Sequence, residues 1–431
     1  MSIWPLVTLI VFFLIFSLIG VPIFISMGLA SIAYCAIFMD LSSFTTIAFE
    51  MVEFLNNFAF LAIPFFFLAG DLMNAGGITR RLVSFSTAVI GHIRGGLSHV
   101  NIIASMVFSG VSGSAVADTS AVGSVLIPAM KEEGYPAAYA AAVTAASSTI
   151  GPVIPPSIPL VVYGLLTEES IGRLFLAGAV PGALMGIYLI VASYIISRKR
   201  NYPARPRAGW ATLLKTTFDA AAALVMPLII VVGIVSGLVT PTEAGALAVV
   251  YALVIGLFVY REIRFRDLLG YFSRSMLAAG YVMIIIASAG IFSYLVAEMR
   301  AGEMLVRFFT SISESPWVIL AIINVFFLVW GAILEPMTAL IVVVPMLMPL
   351  VNAVGIDPIH FGVVIVLNLM IALITPPVGV VLYLATYLAG VSFSSVVKEI
   401  PPFLIALLLA LACVTFIPEL SLWLPRLLMN P

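Results

Sequence analysis

Apolar runs long enough to cross a bilayer alternate with short polar turns along the whole chain. The first three cover residues 3–19, 22–39 and 59–73, and no Lys or Arg occurs before Arg80. A hydrocarbon core about 30 Å thick requires ~20 apolar residues in helical form. Hydrophobic residues make up 63% of the 431 residues and charged residues only 9%. This pattern predicts an all-α polytopic membrane protein, with residues 1–57 forming N-terminal scaffold spans.

A later stretch is too interrupted to form plain spans. Gly and Ser crowd the positions around Gly113, and prolines crowd the positions around Pro155. Backbone that leaves the helix inside lipid must be buried in protein or line a watery cavity, because unpaired N–H and C=O groups are costly there. The two legs of the first part are each short for a span. We therefore predict a re-entrant hairpin at about 95–131, followed by a broken helix over 136–166.

The same order of features returns later in the chain. A shift of 221 positions places Gly110 on Gly331 and Pro155-Pro156 on Pro376-Pro377. A shared order of break, loop glycine and Pro-Pro indicates an internal repeat. The second copy predicts a hairpin at about 316–352 and a broken helix over 359–388. Paired Gly- or Pro-interrupted apolar segments in two halves point to the binding site of a transporter.

Basic residues set the predicted topology and domain organisation. The most basic loop, Arg198–Arg207, is placed in the cytoplasm by the positive-inside rule. Tracing the spans from there leaves only four of the 19 Lys and Arg residues outside, and it makes the two units inverted repeats. The predicted parts are repeat 1 at 58–197 with an arm helix, a basic linker with scaffold spans at 198–275, and repeat 2 at 276–431 with an outer arm and a last span.

Helix breaks of this kind supply the ligands that Na⁺ needs. Freed backbone carbonyls and Ser or Thr oxygens suit a hard cation, and half-helix ends add partial charge. We predict two Na⁺ sites, one where each hairpin tip faces the broken helix of its unit. The alternative is that the small residues serve only for close helix packing and that Glu335 only caps a helix. The predicted Na⁺ ligands are Ser112, Gly113, Ser114, Thr119, Thr149, Gly151, Pro152, Glu335, Thr338, Thr375, Pro376 and Gly379.

Several other chemistries are disfavoured. A net charge of −1 gives no sign of nucleic-acid binding, and the three His residues lack the spacing of a transition-metal site. No phosphate-binding glycine loop is present, so neither ATP nor an organic cofactor is expected. Gly110-Val-Ser112-Gly113 matches a short motif of intramembrane serine proteases, but such a Ser needs a His base, and the only later one is His360. We expect no enzyme; the protease is a remote alternative.

Four motifs resemble the large membrane subunit of tripartite ATP-independent periplasmic (TRAP) transporters, and the similarity extends over nearly the whole chain. They are SGSAVADTSAVG at 112–123, IGPVIPPS at 150–157, TPTEAGA at 240–246 and LITPPVG at 373–379. The resemblance implies a multi-pass subunit of the bacterial inner membrane that works with a small four-helix membrane subunit and a periplasmic solute-binding protein. It also implies Na⁺-driven uptake of an organic acid, such as a C4-dicarboxylate or sialic acid, by an elevator mechanism.

The resemblance further implies which residues meet the solute. Because the chain begins directly with a span, we expect the small subunit to be a separate chain. A self-sufficient Na⁺/anion symporter of similar build remains the alternative function. The residues expected to line the solute site are Ser114, Asp118, Ser147, Pro155, Pro156, Ser157, Asn368 and Pro377.

Overall fold

The computed structural model describes residues 4–39 and 43–429, which contain helices and no strands. Parts of the predicted region 1–57 therefore lie outside the described residues. The all-α prediction is confirmed. The helices through the first unit are α1 (Trp4–Leu18), α2 (Ile23–Phe38), α3 (Ser43–Leu55), α4 (Ala62–Ala75), α5 (Ile78–Ile90), α6 (Gly96–Ser112), α7 (Ala115–Glu132), α8 (Ala137–Ser148), α9 (Ile158–Thr167) and α10 (Ile171–Lys199).

The middle of the chain and the second unit continue the same architecture. Within α13 the backbone passes residue 275, the predicted domain boundary, without a break. The remaining helices are α11 (Trp210–Val235), α12 (Pro241–Val254), α13 (Leu268–Glu298), α14 (Ala301–Ile312), α15 (Pro316–Ile333), α16 (Pro336–Ala353), α17 (Pro358–Ala372), α18 (Val380–Ala389), α19 (Phe393–Val397), α20 (Pro401–Phe416) and α21 (Glu419–Leu428).

The described part of the chain contains seven helices long and apolar enough to cross a membrane. The bent pair α20 and α21 could form an eighth span, and its two helices meet at 58°. The apolar pattern predicts one continuous last span through this region, whereas the structure shows two helices with a bend between them. Pro418 lies between the two helices, and its missing N–H and fixed ring disrupt the helical hydrogen-bond ladder. The prediction of a multi-pass membrane protein is confirmed.

Each unit contains a helical hairpin and an interrupted helix. Hairpin 1 is α6 and α7, joined by Gly113 and Ser114, and hairpin 2 is α15 and α16, joined by Leu334 and Glu335. The interrupted helices are α8 with α9 and α17 with α18. The Pro155-Pro156 and Pro376-Pro377 peptide bonds lie in the two interruptions, and both are cis.

The two units interlock reciprocally. The second half-helix of unit 1, α9, packs against α16 and α17 of unit 2. In the same way α18 of unit 2 packs against α7 and α8 of unit 1, while α10 packs against α20. A two-fold relation between the units produces this exchange, because each half-helix then meets the equivalent surface of the other unit. The packing supports the repeat inferred from the sequence.

The matched glycines of the repeat allow close helix contacts. A Cβ at Gly110 would lie 2.5 Å from Cγ of Pro227 in α11, and one at Gly331 would lie 2.6 Å from Cβ of Ala372 in α17. Both positions therefore need Gly for the tight approach that small residues permit between membrane helices. The partners differ, since Gly110 meets a helix between the units whereas Gly331 meets its own unit.

Candidate functional site

The two hairpin tips meet at one cavity of about 110 Å³. Tip 1 contributes Gly113 to Val116, and tip 2 contributes Glu335 to Met337. The sequence analysis predicts that the tips face the broken helices, and the structure brings tips and breaks to a common point. The full lining is Phe67, Gly113, Ser114, Ala115, Val116, Pro152, Ile158, Pro159, Val282, Glu335, Pro336, Met337, Met370 and Leu373.

Three helix N-termini border this cavity. The first residues of α7, α9 and α16, namely Ala115, Ile158 and Pro336, all line it. The unpaired N–H groups at a helix start carry partial positive charge, which makes such ends binding sites for anions. The C-terminal end of α17 lies on the cavity through Met370 and Leu373 and carries the opposite partial charge. Gly113, the C-cap of α6, also lines the cavity, which therefore combines three anion-binding helix starts with two cation-binding helix ends.

Backbone carbonyls converge behind tip 1. Gly113 adopts φ 57°, and a Cβ there would lie 2.8 Å from the carbonyl oxygen of Pro156. A Cβ at Gly151 would lie 3.7 Å from the Ser114 carbonyl oxygen, and the Ser112 Oγ lies 3.5 Å from that same oxygen. The carbonyl and hydroxyl oxygens of tip 1 and the first break therefore lie close together around Gly113 and Gly151. Such a cluster suits a hard cation.

Tip 2 uses a carboxylate as well as backbone. Glu335 is the N-cap of α16, where its Oε2 accepts hydrogen bonds from the Thr338 N–H at 2.9 Å and the Thr338 hydroxyl at 3.0 Å. Glu335 therefore caps a helix, as the simpler interpretation proposes, and it also lines the cavity. Around Gly379, which has φ 53°, a Cβ would lie 3.5 Å from the carbonyl oxygens of Leu373 and Thr375. The second break is therefore rich in carbonyl oxygens too.

Asp118 lies behind tip 1 and does not line the cavity. Its side chain is fully buried, and both carboxyl oxygens lack a hydrogen-bond partner. The hydroxyls of Ser105 and Ser148 lie nearby, but they donate to the Ser147 Oγ at 3.1 Å and to the Thr144 carbonyl at 2.8 Å. An unpaired carboxylate at this depth is costly unless a cation or a proton accompanies it. Its position suits an ion more than direct contact with the solute.

Two predicted solute ligands are engaged in buried networks away from the cavity. The Ser147 hydroxyl donates to Oδ1 of Asn101 at 2.9 Å, which joins α8 to α6. In unit 2, Nδ2 of Asn368 donates to the backbone carbonyl of Asn324 at 2.9 Å and to its Oδ1 at 2.8 Å, which joins α17 to α15. Each network fixes the first helix of a hairpin to the first half of the interrupted helix. These contacts position the hairpins.

The predicted hydroxyl ligands mostly bond their own helices. Thr119, Thr149 and Thr375 donate to the carbonyls of Ala115, Ala146 and Ile371, at 2.8, 2.7 and 3.0 Å. These hydroxyls keep lone pairs free, so a cation ligand role stays a prediction.

The caps and prolines of the two breaks complete the predicted set. Ser157 donates to the Pro152 carbonyl and, at 3.2 Å, accepts from the Leu160 N–H as the cap of α9. Pro152 lines the cavity, whereas Pro155, Pro156, Pro376 and Pro377 do not.

The apolar part of the lining was missed by sequence reasoning. Phe67 of α4 and Val282 of α13 come from helices outside the two hairpins, and Met370 lies within α17. They are ordinary apolar residues of ordinary helices, so no local pattern distinguishes them from residues that face lipid.

The geometry does not assemble a serine protease site. His360 is buried, and its ring nitrogens contact the Ser421 Oγ at 2.7 Å and the Thr415 carbonyl at 3.3 Å. The hydrogen bonds of the Ser112 hydroxyl join it to Ser114. Among the described residues, no group of three His, Cys, Asp or Glu side chains could hold a metal ion.

Solved structures of low sequence similarity share this fold. The crystal structure of the YdaH transporter of Alcanivorax borkumensis aligns with a TM-score of 0.60 at 15% identity and covers 90% of both chains. MtrF of Neisseria gonorrhoeae aligns with a TM-score of 0.56 at 14% identity, over 87% of this chain and 84% of that one. At such identities the likeness shows the fold alone.

Curated relatives are much more similar in sequence. The sialic acid TRAP transporter large permease protein SiaM of Vibrio cholerae is 40% identical over 95% of this chain and 96% of its own length. The C4-dicarboxylate TRAP transporter large permease protein DctM of Pseudomonas aeruginosa is 39% identical over 93% and 94%. These relatives are transporter permeases and not enzymes. Residues 10–420 match the family described as the DctM component of the tripartite ATP-independent periplasmic transporter, and the chain belongs to that family.

Proposed function

We propose that this chain is the large membrane subunit of a Na⁺-coupled importer of a small organic acid of the sialic acid or C4-dicarboxylate class. A periplasmic binding protein delivers the acid, and a separate small four-helix subunit completes the membrane part. The location is the bacterial inner membrane. The names of the relatives support the solute class, and their family supports the partners.

The observation that carries the proposal is the meeting of three helix N-termini at one cavity. The starts of α7, α9 and α16 direct partial positive charge toward the same small volume. The carboxylate of an organic acid is the natural ligand of such a field.

Sodium coupling is supported by the oxygen clusters beside the cavity. The carbonyls of Pro156 and Ser114 approach Gly113 and Gly151 behind tip 1, and the carbonyls of Leu373 and Thr375 surround Gly379. Neutral oxygens bind Na⁺ with little added charge, and the nearby negative helix ends strengthen that binding. Two cations placed beside an anion lower the cost of bringing all three into a medium of low dielectric constant.

An elevator movement is supported by the way the units interlock. Hairpins and interrupted helices of the two units pack on each other through α9 and α18, so they form one body. Helices α4 and α13 reach the cavity from outside that body through Phe67 and Val282. If this body slides as a unit past the helices outside it, the site is exposed to each side of the membrane in turn and its own geometry does not change.

The test is uptake by proteoliposomes that contain both membrane subunits with the binding protein outside. Radiolabelled sialic acid and a C4-dicarboxylate are offered under an inward Na⁺ gradient, with a K⁺ gradient as the matched control. We expect uptake of one class, driven by Na⁺ and lost when the binding protein is omitted. Equal uptake under K⁺ would contradict coupling. Full uptake without the binding protein would favour the self-sufficient symporter instead.

A further inference from the structure

A second cavity, which shares no lining residue with the first, lies between hairpin 2 and the N-terminal helix. Its volume is about 280 Å³, and its walls expose only apolar atoms. The walls come from α1, α13, α14, α15 and α16, so the cavity separates hairpin 2 from helices outside the hairpins. Its lining includes Leu305, Phe309, Ile322, Phe326, Trp330 and Val343.

The roof of the cavity is the amphipathic helix α14. Leu305 and Phe309 line the cavity, whereas Glu303 and Arg307, on the polar face, are exposed. A helix with one apolar and one charged face lies in the plane of the membrane interface, with its apolar face among the acyl chains. The cavity beneath α14 is therefore at the depth where the acyl chains of lipids begin.

The cavity is continuous with the lipid-facing surface. Phe326 of its wall is 40% exposed on the outside of α15. Ile322 is shared with an apolar groove that runs along the same helix past Trp317, Val325 and Phe416. The side chains that line the cavity and the groove are all apolar, so a hydrocarbon chain that enters from this side meets no charged or polar side chain.

Water is a poor occupant of such a space, because an ordered water needs two to four polar partners. An apolar cavity of about 150 Å³ is large enough to bind benzene, so 280 Å³ has room for a longer hydrocarbon. Arg307 forms no ion pair with any of the described residues, and it stands on the headgroup side of α14. We propose that the cavity binds one acyl chain of an anionic phospholipid, whose headgroup lies beside Arg307.

Lipid binding in the cavity can be measured by the quenching of the fluorescence of Trp330, which lines the cavity. A variant that keeps only this tryptophan, with Trp4, Trp210, Trp317 and Trp423 replaced by Phe, is placed in bilayers containing brominated phosphatidylglycerol. We expect a quenching component that saturates at a low mole fraction of brominated lipid, several-fold below the fraction needed to quench from bulk lipid. Brominated phosphatidylcholine should need a several-fold higher fraction, and Arg307→Gln should remove that difference.

Filling the cavity gives the decisive comparison. Val343→Phe adds a ring to a buried wall position, whereas Val329→Phe adds the same ring to the lipid-facing side of α15, where Val329 is 57% exposed. Val343→Phe should abolish the low-fraction component, and Val329→Phe should leave it unchanged. Unaltered quenching in Val343→Phe, or quenching that only rises in proportion to brominated lipid in the parent variant, would overturn the proposal.

A second measurement is independent of fluorescence. Native mass spectrometry of the purified chain after delipidation should retain one phospholipid per chain in wild type and in Val329→Phe, and none in Val343→Phe. If Val343→Phe fails to fold, Leu347→Phe at another wall position serves the same purpose. Loss of the lipid from wild type when the small membrane subunit is added would identify a protein helix as the occupant and overturn the lipid assignment.

Discussion

The two hairpin tips have the same backbone plan but different side-chain chemistry. Tip 1 turns through Gly113 and caps α7 with Ser114, and its nearest acid, Asp118, is buried behind the tip. Tip 2 caps α16 with Glu335, whose carboxylate lies on the cavity itself. One unit therefore keeps its acid fully buried, and the other presents its acid to the cavity.

The hydrogen-bond networks that hold each hairpin against the interrupted helix of its unit also differ. Unit 1 joins α6 to α8 through hydroxyls around Ser147 together with the amide of Asn101, whereas unit 2 joins α15 to α17 through the two amides of Asn324 and Asn368. The shared feature is interrupted backbone, so we infer that backbone carbonyls provide the common cation chemistry. The unshared feature is the acid, which gives the two halves unequal roles.

The largest effect is expected from Gly113→Ala. Any L-residue at this φ of 57° costs about 1–2 kcal/mol, and the new Cβ would collide with the Pro156 carbonyl 2.8 Å away. We expect Na⁺-driven uptake to fall by more than about tenfold, since each ~1.4 kcal/mol is a factor of ten. Gly134→Ala is the matched control, because Gly134, just after the end of α7, has φ 85° but open space around it. Similar losses in both variants would mean that backbone strain alone explains the effect.

The next effect is expected from Asp118→Asn, which removes the buried charge with little change of shape. Because Asp118 does not line the cavity, the Na⁺ concentration for half-maximal uptake should rise by roughly tenfold, equal to ~1.4 kcal/mol, with little change in the half-saturating solute concentration. Asp71→Asn is the control, since Asp71 already accepts a hydrogen bond from Ser275. A selective change in solute affinity would instead support Asp118 as a solute ligand.

A smaller effect on transport is expected from Glu335→Gln. The amide keeps an oxygen for the Thr338 N–H but loses the negative charge at the cavity. A few-fold change is expected in both the Na⁺ and the solute dependence of uptake, because a charge-assisted hydrogen bond is about twice as strong as a neutral one. Glu243→Gln, which alters an exposed capping box at the start of α12, should leave both unchanged. Unchanged transport in Glu335→Gln would mean that Glu335 serves only as the cap of α16.

The smallest effect on transport is expected from Asn368→Ala. This change should lower stability and leave uptake unchanged. The change removes two hydrogen bonds to Asn324 and should lower the free energy of unfolding by about 1–3 kcal/mol. Ser147→Ala removes a hydroxyl that donates to Asn101 and to the Thr144 carbonyl and accepts from Ser105, so it should cost a similar amount, whereas Asn352→Ala at an exposed position should be neutral. Thermal unfolding in detergent compares the three variants. A loss from Asn352→Ala as large as those from the other two variants would contradict the proposed role of the two networks.

Local backbone chemistry was readable from the sequence. The apolar runs, the glycine at the first tip and the Pro-Pro pairs act within a few residues of themselves, so they located both hairpins and both interrupted helices. The bend at Pro418 shows the limit of this reading, because the apolar pattern around it continues through the break.

Only the tertiary structure decided which of these features meet. Packing of α9 and α18 across the units brings three helix N-termini together, adds Phe67 and Val282 to the cavity, and leaves Asp118 behind the tip. The physical reason is range: helix breaks follow from the steric and hydrogen-bonding properties of single residues, whereas convergence depends on the shapes of helices that lie far apart in the chain.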